Sequence, residues 1–109
     1  MLEHIRDWAK AVQNMKAMLK YGGIILITTR SVGFHVHGYP EDYWRFDKDD
    51  MKHIFSDFEI VALEDDTHDP GVFVKARACD GISESLSAYK AYSIHSKERD
   101  VVGGWETKE

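Results

Sequence analysis

Residues 19–29 have the sequence Leu-Lys-Tyr-Gly-Gly-Ile-Ile-Leu-Ile-Thr-Thr, and this stretch decides the fold class. The glycine pair, Gly22 and Gly23, can end a helix because glycine accepts the left-handed conformation there. The short β-branched run at residues 24–29 favours a strand buried on both faces, as in a parallel sheet covered by helices. A helix, a glycine pair and a buried strand are typical of half a βαβ unit, so we predict an α/β fold.

The residues before this stretch predict an amphipathic helix over residues 3–20. Its apolar residues recur at steps of three or four, which places them on one face of the helix. These apolar residues are Ile5, Trp8, Val12, Met15 and Leu19.

The residues after this stretch predict a loop and a second helix. Residues 30–46 are aromatic and contain two glycines and a proline, and long ordered loops of this kind are often functional. Asp47 is typical of a helix N-cap. Met51, Ile54 and Phe55 then predict the buried stripe of a short helix.

Two further strands are predicted at residues 58–64 and 71–77. The turn between them is too short for a crossover helix, so we expect the two strands to be antiparallel. Residues 79–109 differ in composition, and we expect them to form an extension. Within this extension we predict a weak strand at residues 88–95 and a flexible tail at residues 97–109.

Composition excludes several classes of function. The formal charge is −5 and no basic block stands out, so we expect no nucleic-acid partner. The longest uninterrupted apolar run, residues 24–27, is too short to span a bilayer, and we expect neither a membrane partner nor a signal peptide. The single cysteine, Cys79, cannot form an internal disulfide, which favours a reducing, cytoplasmic location.

Several segments, in this order and spacing, resemble the C-terminal half of a class I S-adenosylmethionine-dependent methyltransferase of the small-molecule type. Met1-Leu2-Glu3-His4-Ile5 resembles the end of the family's fourth strand and the start of the next helix. Residues 19–23 resemble the family's Leu-Lys-Pro-Gly-Gly turn, with Tyr21 in place of the proline. Residues 37–46, His-Gly-Tyr-Pro-Glu-Asp-Tyr-Trp-Arg-Phe, are similar to a loop of one subgroup, and residues 70–73 resemble its last hairpin.

The resemblance covers residues 1–78 and implies a partial Rossmann-like methyltransferase sheet with helices and a terminal antiparallel hairpin. The family binds its cofactor through a glycine-rich turn and an acidic residue that precede this half. The sequence contains no Gly-x-Gly-x-Gly pattern, so we expect the chain alone to bind S-adenosylmethionine weakly or not at all. A fragment, a split subunit and a homologue that has lost cofactor binding all remain open.

Two residues of the candidate site have roles implied by the resemblance, and two loop histidines are candidates because of their spacing and chemistry. Glu3 and His4 correspond to residues beside the methionine end of the cofactor, although Glu3 also suits a helix N-terminus electrostatically. His35 and His37 share a face of an extended loop, where either is a candidate catalytic base or simply a solvated histidine. The two histidines have no third ligand at a diagnostic spacing, so we expect no metal site.

Aromatic residues and one guanidinium of the same loop are candidates for binding the substrate. Tyr39, Tyr43 and Arg45 can line an acceptor pocket or clamp an anionic group, or Arg45 can pair with Asp42 or Asp47.

The predicted function is methyl transfer from S-adenosylmethionine to a small-molecule substrate, with this chain as the acceptor-side half. The alternative is a non-catalytic binding or assembly module that pairs with a separate N-terminal half or with itself. In either case the strand at residues 24–29 would have an unpaired edge, and such edges recruit partners. We therefore expect a homodimer first, with a complex with a separate N-terminal half, or pairing of residues 88–95 with this edge, as the alternatives.

Overall fold

The computed structural model describes residues 1–38, 41–79 and 86–104. Within these residues the protein forms two antiparallel three-stranded sheets and two α-helices. The elements in chain order are a 3₁₀ turn (Leu2–His4), α1 (Trp8–Ala17), β1 (Ile24–Arg30), β2 (Trp44–Arg45), α2 (Lys48–Ile54), β3 (Phe58–Asp65), β4 (Gly71–Ala78), β5 (Ala91–Ser93) and β6 (Glu98–Asp100). The strand order is β1-β4-β3 in the first sheet and β2-β5-β6 in the second.

β1 pairs with β4 in antiparallel register, and its side chains alternate between buried and exposed. Ile25 and Ile27 face the core, whereas Ile24 and Leu26 lie on the opposite face, where Leu26 is 67% exposed. The prediction of a strand buried on both faces in a parallel sheet is therefore wrong. The α/β class is confirmed, but the described strands do not form a Rossmann-like sheet. The apolar run was misleading because Ile24 and Leu26, on the uncovered face, are as apolar as Ile25 and Ile27, which face the core.

α1 is shorter than the helix predicted over residues 3–20. Asp7 caps it by accepting a hydrogen bond from the backbone N–H of Lys10, and the residues before this cap form the separate 3₁₀ turn. The predicted apolar face is confirmed, because Trp8 and Val12 are fully buried. Three further residues of this face, Ile5, Met15 and Leu19, pack against the core while remaining partly exposed. No helix in the described ranges is long and apolar enough to cross a membrane.

α2 begins at the predicted cap. The Asp47 carboxylate accepts from the backbone N–H of Asp50, and the Asp50 carboxylate accepts from that of Asp47, which completes a capping box. Met51, Ile54 and Phe55 are buried as predicted. The antiparallel pair predicted at residues 58–64 and 71–77 is also confirmed, as β3 and β4.

The extension is built into the fold through the second sheet. β5 lies within the predicted strand at residues 88–95 and pairs with β2 and β6, not with β1. Part of the expected loose tail at residues 97–109 instead forms β6, and residues 105–109 lie outside the described ranges. In the described part of the chain, β4 is the sole strand paired with β1. A homodimer or a separate N-terminal half at the other edge of β1 stays a prediction.

Asp50 joins α2 to the extension. Its buried carboxylate accepts hydrogen bonds from the Tyr89 hydroxyl and from Nη1 of Arg99, the latter at 2.7 Å. Burial by itself would raise the pKa of Asp50, but hydrogen bonds from Arg99, Tyr89 and the Asp47 backbone outweigh burial and lower it. Burial and the hydrogen bond to the Asp50 carboxylate raise the pKa of Tyr89, so the hydroxyl remains a donor.

We expect Asp50→Asn to lower the free energy of unfolding at neutral pH by about 2 kcal/mol, because hydrogen bonds to a charged group are lost. The lowered pKa of Asp50 means that ionised Asp50 stabilises the fold above about pH 4 and that this stabilisation disappears as the pH falls further. Urea unfolding between pH 2 and 7 should therefore show a shallower acid dependence for the variant.

The matched control is Asp49→Asn, since Asp49 lies in the same helical turn with a side chain that is 92% exposed. This control should remain within about 0.5 kcal/mol of the wild type. Equal effects of the two substitutions would contradict a specific role for Asp50.

Candidate functional site

The candidate site lies where the 3₁₀ turn and the carboxyl end of β1 meet residues 31–38 and 41–43. The backbone N–H of Tyr43 donates to the Glu3 carbonyl at 2.7 Å, and that of Phe46 donates to the Arg30 carbonyl at 2.7 Å. The Trp44 indole is buried and donates to the Arg6 carbonyl at 3.0 Å. These contacts hold the start of the chain and the end of β1 against residues 43–46.

Glu3 forms the floor of the site. Its carboxylate is buried, and Oε1 accepts from the Thr29 hydroxyl at 3.0 Å and from the Met1 ammonium group. Burial alone would raise the pKa of Glu3, but hydrogen bonds from the ammonium group, its own backbone and Thr29 lower it below its usual value. The second oxygen, Oε2, lies 4.0 Å from Nε2 of His4 and 3.8 Å from Nε2 of His37.

His4 and His37 face each other above this carboxylate. Their Nε2 atoms are 2.8 Å apart, and the two rings are nearly perpendicular. Nδ1 of His4 lies 2.8 Å from the Glu41 carbonyl. Nδ1 of His37 lies 3.2 Å from Oδ2 of Asp42 and 3.3 Å from the His35 carbonyl.

A buried ion pair fixes the loop that carries His37. Asp42 and Arg45 are 0% and 1% exposed, and the two guanidinium Nη atoms donate to the two carboxylate oxygens at 2.6 and 2.8 Å. The backbone N–H of His37 also donates to Asp42, at 2.8 Å. Burial alone would raise the pKa of Asp42, but the Arg45 and His37 contacts lower it. Arg45 further donates to the carbonyls of Trp44 and His35.

The structure brings together three of the predicted site residues, Glu3, His4 and His37. The His35 ring stacks on Phe34 at 4.3 Å between centroids, and its centroid lies 5.6 Å from that of His37.

The predicted substrate-binding residues that the structure describes differ in their burial and in their contacts. Tyr43 is half-buried and stacks on His95 at 5.2 Å. Arg45 is buried, and the two Nη atoms are committed to Asp42 and to backbone carbonyls. Tyr39 lies outside the described residues.

Sequence reasoning missed the contribution of Asp42 to the orientation of His37. It considered Asp42 solely as a partner of Arg45, although Asp42 also contacts the His37 ring and backbone. The expectation of no metal site depended on the lack of a third ligand near the loop histidines. The fold supplies such ligands from the 3₁₀ turn. Ligand atoms of Glu3, His4 and His37 all lie within 4.8 Å of one another.

A shallow pocket of about 230 Å³ is lined in part by Arg45. Its walls are mainly apolar and come from the loop and the second sheet. The lining includes Val32, Phe34, Val36, Arg45, Tyr92 and Ile94. This volume is somewhat below the roughly 300–1,000 Å³ of drug-sized ligand sites, so it suits a small group.

Comparison with known proteins assigns no family to the chain. No protein-family model matches it, and searches of curated proteins and of solved structures found no match. Its function must therefore be inferred from its own residues and their geometry.

We expect Asp42→Asn to lower the free energy of unfolding by about 3–5 kcal/mol, because it leaves the Arg45 charge buried without its counterion. Urea unfolding at neutral pH measures this change. Glu41→Gln is the matched control, since the exposed Glu41 contacts the site through its backbone carbonyl and should change stability by less than about 0.5 kcal/mol. A loss below about 1 kcal/mol for Asp42→Asn would contradict the importance of the ion pair for stability.

Proposed function

We propose that this chain is the acceptor-side half of an S-adenosylmethionine-dependent methyltransferase that acts on a small molecule. One observation carries the proposal. Glu3 and His4, from the segment that resembles the methionine side of the family's cofactor site, meet His37 from the loop that resembles a subgroup motif. Two segments that resemble the same family therefore contribute to one cluster at the carboxyl end of β1.

The order of the secondary-structure elements supports the same proposal. A helix, a strand, a long loop, a second helix and an antiparallel pair follow one another as the resemblance implies. The rest of a Rossmann-like sheet would come from an N-terminal half that docks at the edge of β1 lacking a strand partner among the described residues. Such a half would also cover the exposed apolar side chains of Ile24 and Leu26.

The chemistry that this half would support is displacement at carbon. A lone pair on the acceptor's oxygen or nitrogen forms a bond to the methyl carbon as the carbon–sulfur bond breaks, and the sulfonium becomes a neutral thioether. The proton on the attacking atom passes to a base, for which His35 and His37 are the candidates. Proximity and alignment of the nucleophile supply much of the rate enhancement in such a reaction. The proposed contribution of the chain is to hold the acceptor between the cluster at Glu3 and the pocket beside Arg45.

A non-catalytic assembly module is the second candidate function, because the edge of β1 would favour association with another chain even without any cofactor chemistry. The outer face of β1 exposes Ile24 and Leu26 next to an edge without a strand partner in the described ranges. Apolar edges of this kind recruit other chains. The two functions are distinguishable, because an assembly module would bind its partner without binding cofactor.

We expect the chain alone to show no micromolar binding of S-adenosylmethionine in calorimetry, because the glycine-rich turn and the ribose-binding carboxylate are absent from its sequence. Adding an N-terminal half that carries both features should produce binding and the transfer of a radiolabelled methyl group to small molecules of a cell extract. Leu26→Asp should prevent this gain, whereas Val61→Asp, an exposed position on β3, should not.

Three outcomes separate the hypotheses. Micromolar binding by the chain alone would contradict the proposed division of the cofactor site between two halves. Docking of the N-terminal half without cofactor binding would favour the assembly module. Equal effects of the Leu26 and Val61 substitutions would contradict docking at β1.

A further inference from the structure

We propose that Glu3, His4 and His37 form a binding site for a divalent transition-metal ion, with Zn²⁺ as the first candidate. The three residues offer two imidazole nitrogens and one carboxylate oxygen within 4.8 Å of one another. Two histidines and one carboxylate are the protein ligands of several catalytic zinc sites and of the non-haem iron(II) facial triad. The inference concerns binding and does not depend on the proposed methyl transfer.

The positions of the ring protons make the histidine pair unusual. Nδ1 of His4 faces the Glu41 carbonyl, which only accepts hydrogen bonds, so this nitrogen carries a proton. Nδ1 of His37 faces the Asp42 carboxylate and the His35 carbonyl, so it is also protonated. In neutral rings both Nε2 atoms are then hydrogen-bond acceptors, yet they lie 2.8 Å apart. A cation bound by both nitrogens, either one additional proton or a metal ion, removes the repulsion between them.

The residues around the histidines have the arrangement of the outer shell of a metal site. Histidine ligands commonly donate their second N–H to a carbonyl or a carboxylate, which fixes the tautomer and the orientation of the ring. The Glu41 carbonyl has this position for His4, and Asp42 has it for His37. Asp42 is itself fixed by the buried guanidinium of Arg45.

Glu3 supplies the negative charge that favours a divalent cation over a proton. Its Oε1 is held by Thr29 and the Met1 ammonium group, which leaves Oε2 directed toward the two histidines. The carboxylate is buried, so an opposite charge beside it is weakly screened.

The site can adjust to the dimensions of a metal ion. With Zn–N distances of about 2.0–2.1 Å and tetrahedral angles, two nitrogen ligands lie about 3.3 Å apart, so the rings must separate by about half an ångström. Their side chains are 39% and 33% exposed, and Gly38 places no side chain against the His4 ring. Three protein ligands leave at least one position for solvent or another ligand.

A bound cation would also change the chemistry available to the proposed enzyme. It would occupy the Nε2 lone pairs of His4 and His37, so neither ring would act as a base in methyl transfer. Zn²⁺ lowers the pKa of a hydroxyl group bound at an open position. If the proposed function holds, this property would suit an acceptor with an oxygen nucleophile.

Calorimetric titration of the chain with Zn²⁺, without a polyhistidine tag, tests the site. We expect one ion per chain, and His37→Gln should weaken binding by at least about 100-fold, because loss of a ligand should cost more than the roughly 10–100-fold caused by loss of an outer-shell contact. His35→Gln is the matched control, since His35 lies in the same loop outside the ligand group, and it should alter the affinity by less than about threefold. Circular dichroism of both variants checks that they fold.

Nuclear magnetic resonance of the imidazole nitrogens in the wild-type chain provides a readout that needs no substitution. We expect Zn²⁺ to shift the Nε2 signals of His4 and His37 and to leave both Nδ1 atoms protonated. Wild-type binding no tighter than millimolar would overturn the proposal, as would equal weakening by the His35 and His37 substitutions. Zn²⁺ binding that leaves the His4 and His37 signals unchanged would place the ion elsewhere and would also overturn it.

Discussion

The ion pair between Asp42 and Arg45 is the interaction on which the site depends. Both side chains are buried, and their mutual hydrogen bonds replace the water that each charge has lost. Asp42 has no remaining freedom, because it also accepts from the His37 backbone. Asp42 therefore ties the His37 backbone and ring to the buried ion pair, and this tie holds His37 beside the 3₁₀ turn.

The features that the sequence predicts well are those with local causes. The cap at Asp47 depends on residues within one turn, and the apolar face of α1 depends on helical spacing alone. The hairpin formed by β3 and β4 follows from a short turn. The errors have distant causes. Whether Leu26 is covered depends on what packs outside β1, and the strand at Glu98–Asp100 exists because β5 lies beside it.

In the candidate site, too, the sequence predicts local features and misses contacts between distant residues. The sequence identifies Glu3 with His4, and His35 with His37, as two separate pairs of candidates. It does not predict that the pairs meet, because their approach depends on the fold of the loop between β1 and β2. The choice between Asp42 and Asp47 as the partner of Arg45 also remains open at the level of sequence. The structure selects Asp42, and with it the orientation of the His37 ring.

The position of β4 in the first sheet has a consequence for the synthesis of the chain. β1 and β3 lie on either side of β4, and in the described part of the protein they do not pair with each other. A nascent chain that has left the ribosome only as far as residue 70 contains both outer strands without the central one. The first sheet cannot form until residues 71–78 emerge. β1 must then pair with β4, which is distant in the sequence. Until β4 emerges, the apolar run of β1 has no strand partner, so this is the stage of synthesis at which chaperones would protect the chain most from aggregation.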